Sequence, residues 1–212
     1  MQRFILQENI KRFQARLAEL DDADDRRRVR LMLAAVEREL ALLEASQAGV
    51  INPHSPLIAP ADTAAAARAA AIARFRDDFG LAPQIAALID PAPGLTYVDV
   101  NPAYEQSLGL TRADLVGSGL FERFPDNPDD PAADGVYNVY MSLRLAAETT
   151  RPHAMPVQRY DVTGEDGVFT ERYWRIVNTP LLDDEGRLVL LLNTAEEVTD
   201  EVLRTGGGKG TV

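Results

Sequence analysis

The 212-residue chain holds two imidazoles, His54 and His153, and no cysteine. Without thiolates there is no disulfide, no zinc site built on cysteine, no iron–sulfur ligation and no cysteine nucleophile. A chromophore bonded through cysteine is excluded for the same reason. Two imidazoles leave almost no room for a site that needs two or three. Arg159, Asp161, Glu171 and Arg172 have the types for carboxylate acid–base work. Cross-strand ion pairs account for them more simply. The tail from Thr205 to Thr211 is rich in glycine, but it lacks phosphate-loop spacing and no helix follows it. No catalytic residue and no metal ligand is expected.

Tyr137, Tyr140, Met141, Met155, Tyr160 and Trp174 form an aromatic and methionine set. They are the candidate walls of a pocket for a small, mostly apolar ligand. A filled core is the simpler account of the same residues. Around Trp174 both strand faces are apolar, with Tyr173 and Val177 on one and Trp174 and Ile176 on the other. Alternation alone leaves the direction of Trp174 open. It also implies that the outer sheet face is covered, by the alanine-rich helix or by a partner.

The elements that must position these residues follow from periodicity. Leu6, Ile10, Phe13, Leu17 and Leu20, then Val29, Leu33, Val36, Leu40 and Leu43, recur at spacings of three and four, one helix face each. The acidic turn at residues 21–25 separates them, so residues 1–50 read as an antiparallel helical hairpin. Phe4, Ile5, Leu31, Met32 and Leu42 lie off those seams. They need a second copy of the hairpin or the following domain to cover them, and they are the candidate interface. Residues 51–80 read as a proline-rich linker and an alanine-rich helix, with Asp62 or Thr63 as N-cap. Residues 81–202 read as strands at 85–90 and 95–100, short helices, a longer helix at about 132–149, then strands at 155–162, 169–182 and 187–198. Residues 203–212 read as a flexible tail.

Net charge is −11, and residues 1–50 balance nine basic against nine acidic side chains, so the excess lies beyond them. An acidic surface repels phosphate backbones and anionic lipid, which argues against nucleic-acid and membrane partners. The longest aliphatic run, Leu188 to Leu192, is far too short to span a bilayer, and the N-terminus lacks a signal-peptide stretch. A cytoplasmic protein is expected.

Several stretches in order carry a family resemblance: Val100-Asn-Pro-Ala-Tyr104, Leu108 to Gly117, Phe121 to Pro128, Arg151 to Asp161, Glu171 to Trp174, Asn178 to Asp183 and Glu197-Val-Thr-Asp200. Over residues 81–202 the chain resembles a PAS domain. The resemblance implies an α+β fold, a five-stranded antiparallel sheet with helices on one face and a cavity between them. It implies signalling or association without catalysis. Haem-binding members use a histidine on the long helix; here His153 follows Arg151-Pro152, which ends that helix, so it reads as a structural hydrogen-bonder. No cofactor is expected: covalent flavin is excluded, haem is disfavoured, and an unidentified small ligand stays open. The hairpin is similar in shape to the dimerisation hairpin of histidine kinases, but residues 1–50 hold no phosphoacceptor histidine. The expected function is a single-PAS signalling adaptor, a homodimer or a scaffold for a histidine kinase or response regulator. The alternative is a sensor whose ligand resets hairpin packing, and a small enzyme with a cavity acid is the third.

Overall fold

Helices α1 (Gln2–Glu19) and α2 (Ala23–Ala48) are the two halves of the hairpin. The turn between them is fixed by Asp22, whose side chain accepts from Asp25 N at 2.9 Å, a helix N-cap. Leu6, Ile10 and Leu40 are buried along the seam, with Leu33, Val36 and Leu43 packed beside them. A second face of α2 carries Ala41 and Ala45 into the main core, so the hairpin docks on its own chain. The computed structural model describes residues 1–164 and 167–206, and residues 61–63 by backbone alone.

The proline-rich segment is built into the molecule. Val50 and Ile51 join the main core, and Ile58 bridges to Leu188. Gly49 has φ +68°, and a Cβ there would stand 2.1 Å from the Pro91 carbonyl oxygen, so only glycine fits this turn. Val50 N donates to that same oxygen at 3.1 Å. Helix α3 (Ala61–Phe79) then starts with Pro60 at its N-cap, ahead of the expected Asp62 or Thr63.

The main sheet is antiparallel, in the order β2 (Tyr97–Val100), β1 (Ile85–Ile89), β8 (Leu188–Glu197), β7 (Tyr173–Leu182), and then β3 (His153–Ala154). The short strand β4 (Gln158–Arg159) also pairs with β7. The strand expected at 155–162 is thus split, because Pro156 has no N–H for the ladder. The strand expected from Phe169 begins at Tyr173, since β6 (Phe169–Thr170) turns aside to pair with β5 (Val162–Thr163). On the inner face lie α4 (Pro102–Leu108), α5 (Arg112–Leu115), α6 (Leu120–Arg123) and α7 (Gly135–Thr149). Helix α7 starts three residues later than the expected 132, at Gly135, where a Cβ would stand 2.7 Å from the Tyr160 ring. Helix α8 (Thr199–Thr205) crosses the boundary drawn at 202, and residues 207–212 lie outside the described residues.

The outer face is covered by α3, which packs Phe75 on Ala86, Leu88, Val189 and Leu190. A bulge at Leu88/Ile89 turns Asp99 to this face. There its carboxylate holds Arg76 of α3 at 2.7 Å and Arg112 of α5 at 2.5 Å. The expected α+β fold with an antiparallel sheet is present. The sheet has six strands rather than five, since β3 and β4 both pair with β7. Helices lie on both faces rather than one, since α3 covers the outer face.

Candidate functional site

Alternation along β7 buries Trp174, Ile176 and Asn178 on the inner face and leaves Tyr173, Arg175 and Val177 half-buried on the outer. Trp174 therefore points inward, and its Nε1 donates to Tyr160 O at 2.9 Å. The Tyr160 hydroxyl in turn donates to Phe124 O. Tyr97 and Tyr104 share a hydroxyl–hydroxyl bond of 2.6 Å. Burial, before any neighbour, pushes both phenols up in pKa, so they act as neutral hydrogen-bonding groups. Between these rings lies a cavity of about 70 Å³ lined by Tyr104, Phe124, Val139, Tyr160, Trp174 and Asn193. Pockets for drug-sized ligands run to roughly 300–1,000 Å³. This one admits only a very small molecule.

The six residues proposed as pocket walls fall into three places. Tyr160 and Trp174 share the inner cavity. Tyr137, Tyr140 and Met141 line a groove of about 300 Å³ between α7 and the hairpin, with Ile10, Leu40 and Glu44. Met155 meets Met141 in a third groove of about 390 Å³, beside Ser142, Leu145 and His153. The cause is that α7 has two buried faces. Val136, Val139 and Leu143 meet the sheet, while Tyr137, Tyr140, Met141 and Arg144 stand at helical spacing on the side toward α2.

At that second face sits Glu44, only 5% exposed. Its Oε2 is 3.2 Å from both the Tyr140 hydroxyl and Arg144 Nη1. Arg3 Nε of α1 lies 2.7 Å from Oε1, an ion-pair contact outside hydrogen-bond geometry. The Tyr140 hydroxyl also reaches Gly49 O at 3.1 Å. Burial and then the Glu44 charge push the Tyr140 phenol up. One carboxylate thus gathers α1, α2, the turn at Gly49 and α7. Further along, Arg38 of α2 holds Asp126 at 2.7 Å and also reaches Ala133 O. Asp126 accepts from Val136 N at 3.0 Å and so caps α7 from the preceding loop. Neither Glu44 nor Arg38 stood out in the sequence. Their signal was a charge inside the Ala41/Ala45 face of α2.

His153 lies on β3, beyond the left-handed Thr150 (φ 52°) that ends α7. Its Nδ1 is 2.8 Å from Ser142 Oγ. The carboxylates of the strands are paired: Asp161 holds Arg159 at 2.9 Å and Asn127 at 2.9 Å, and Glu197 holds Arg172 at 2.5 Å. Among the described residues no group of three His, Asp or Glu side chains is placed to hold a metal. No described helix is long and apolar enough to cross a membrane.

A family model described as PAS fold matches residues 79–203. The chain belongs to the PAS family. The chain is similar to several solved structures. A light-oxygen-voltage domain studied with a flavin analogue is 16% identical, covering 65% of this chain and 90% of that one at TM-score 0.46. The PAS domain of a Colwellia psychrerythraea protein is 13% identical, covering 61% and 98% at TM-score 0.46. The light-oxygen-voltage domain of a blue-light-activated histidine kinase from Erythrobacter litoralis is 18% identical, covering 56% and 98% at TM-score 0.42. No curated protein matches the chain.

In this PAS domain Asn101, which heads the Asn-Pro-Ala stretch, ties the first helix to the sheet. Its Oδ1 accepts from Ala86 N and Tyr104 N, both at 3.0 Å, and its Nδ2 donates to Gln84 O at 2.7 Å. The hairpin candidates sit on the far side of the docking face. Phe4 is 65% exposed, Ile5, Met32 and Leu42 are exposed, and Leu31 is half-buried. The PAS core covers the hairpin through Ala41, Glu44 and Ala45 and leaves that set outside.

Proposed function

We propose that the protein is a PAS signalling adaptor that acts by association, with its hairpin held on the PAS core through α7. Glu44 carries this reading. A buried carboxylate shared by Arg3, Tyr140 and Arg144 makes hairpin position depend on α7, and α7 is also the wall of the inner cavity. The output surface is Phe4, Ile5, Met32 and Leu42, with Leu31 at its margin. The first partner is a second copy of the chain; a histidine kinase or response regulator is the other class. A cytoplasmic setting without nucleic-acid or membrane partners fits the acidic charge excess. Catalysis, haem and flavin are not part of the proposal. Support for leaving them out comes from the small cavity and from the ion-paired state of the strand carboxylates.

Light scattering on the full chain at micromolar concentration tests it. A dimer is expected, and Phe4→Asp with Leu42→Asp is expected to give a folded monomer by circular dichroism. A monomeric wild-type chain refutes the homodimer.

A second reading has its own observation. Asn193, Ser107, Tyr104 and Tyr160 bring polar groups to a mostly apolar cavity, which suits a small neutral ligand that resets α7 and the hairpin. Native mass spectrometry of gently purified protein tests this, and a bare chain mass under all conditions counts against it.

A further inference from the structure

His153, Asn178 and Asn193 stand side by side on three adjacent strands: His153 is the register partner of Asn178 on β7, and Asn178 is the partner of Asn193 on β8. They form one row across the inner sheet face, and Ser142 of α7 closes it from above. Asn193 Nδ2 donates to Asn178 Oδ1 at 2.8 Å, Asn178 Nδ2 donates to Ser142 Oγ at 2.8 Å, and Ser142 Oγ is 2.8 Å from His153 Nδ1. Asn178 has no solvent exposure and Ser142 has 2%. Polar groups so deep in a core are tolerated because each is satisfied by the next.

The two ends of the row open on different spaces. Asn193 lines the inner cavity, and His153 lines the groove between α7 and β3. We infer that the row is a hydrogen-bond relay joining the inner cavity to that groove, so that the group Asn193 offers the cavity and the proton position on His153 are set together.

The direction of the bonds carries the argument. Ser142 Oγ already accepts from Asn178. Its own proton has no bond back to its helix, unlike Thr149, whose hydroxyl donates to Leu145 O at 2.7 Å. The hydroxyl therefore donates to His153 Nδ1, which places the imidazole proton on Nε2. Asn193 turns its amide nitrogen toward Asn178, so its carbonyl oxygen is the end turned away from the row. Reversal has one consistent form. Both amides turn over, Ser142 donates to Asn178, His153 donates from Nδ1, and Asn193 has its amide N–H left over. A small neutral ligand that donates a hydrogen bond favours the first arrangement, and one that accepts favours the second. By linkage, a proton added to His153 favours the second as well. The charged groups facing His153 are Arg144 and Glu148, which line the same groove from α7. This inference holds whether or not the hairpin associates.

Long-range ¹⁵N–¹H correlation spectra of the imidazoles test it, with His153 assigned by comparison with His54→Asn. Mildly alkaline buffer keeps introduced carboxylates ionised. The wild-type chain is expected to show His153 protonated on Nε2. Asn193→Asp removes the donor at the far end, so the row must reverse and the proton must move to Nδ1. Asn178→Asp accepts from both neighbours and makes the same demand from the middle, which serves if the first variant does not fold. Adding Ser142→Ala to either is expected to return the proton to Nε2. An unchanged tautomer in a folded carboxylate variant overturns the relay. So does a switch that persists without Ser142, since that marks a through-space charge effect.

Discussion

Glu44 on α2 and Arg144 on α7 meet at 3.2 Å across one hundred positions of sequence, and each end of this contact has further partners. Arg144 also holds Glu148 at 2.7 Å, and Glu44 also takes Tyr140 and Arg3. Removing the carboxylate leaves the Tyr140 hydroxyl with Gly49 O alone and Arg144 with a single acid. Because Arg144 and Arg3 reach solvent, the loss is that of a hydrogen-bonded charge rather than of a fully buried pair. Glu44→Ala is expected to cost about 1–3 kcal/mol in urea unfolding. Hydrogen exchange is expected to quicken in residues 2–48 before it quickens in β1, β7 and β8. Equal loss of protection in both regions would show that the hairpin is not held separately through Glu44.

Gly49 fixes the exit of the hairpin. Its φ of +68° and the 2.1 Å approach of Pro91 O to a would-be Cβ act against any side chain. Gly49→Ala is expected to destabilise by about 1–3 kcal/mol, since strain in the left-handed region is met by backbone that cannot give way. Pro91 and Ala92 belong to the loop between β1 and β2, so amide shifts in nuclear magnetic resonance spectra should spread along that loop. Shifts confined to residues next to 49 would count against the docking described above.

Hairpin and strands were legible because one physical rule governs each. Leu6, Ile10 and Leu40 repeat at helical spacing and meet at a seam. The Asn101 cap with Pro102 behind it is a strong helix start, and α4 begins there. Trp174 was not legible, because Tyr173 and Val177 on the outer face of β7 are apolar too and half-buried, which removes the polar alternation that would have marked the inside. Tyr140 misled for a related reason. Helix α7 is buried on two sides, and spacing alone does not say which side faces the sheet. Asn178 and Asn193 are single amides in apolar strands, a visible signal. Their meaning needed the register that sets them beside His153.

Trp174 faces the cavity, only 6% exposed, with its indole N–H on Tyr160 O. Trp174→Ala is expected to cost about 3–5 kcal/mol, the range for deleting a large buried aromatic side chain. Protection from hydrogen exchange should fall in β7 and β8 together, while residues 2–48 follow only through global unfolding. Early loss confined to residues 4–46 would place the ring under the hairpin and contradict the inward parity of β7.

Glu37 gives the hairpin contact a pH dependence whose sign can be worked out. Its carboxyl is pushed up from the ordinary 4.5 to about 7, first by burial and then by the charge of Asp134 at the N-cap of α7, against a bond from Gln14 of α1. Burial, and then the same carboxylate, pushes the phenol of Tyr137 on α7 up. In the unfolded chain Glu37 ionises near 4.5, whereas the folded chain holds the proton until about 7. Between those values the unfolded state gains charge that the folded state resists, so this group makes stability fall as pH rises through that window. The penalty is complete above about 7 and absent below the unfolded value. Other carboxylates titrate too, so the comparison that counts is with Glu37→Gln. The drop in melting temperature from about pH 5 to about pH 8 is expected to be smaller in that variant than in the wild-type chain. Equal drops in both would mean that Glu37 ionises freely in the folded hairpin and that Asp134 does not oppose it.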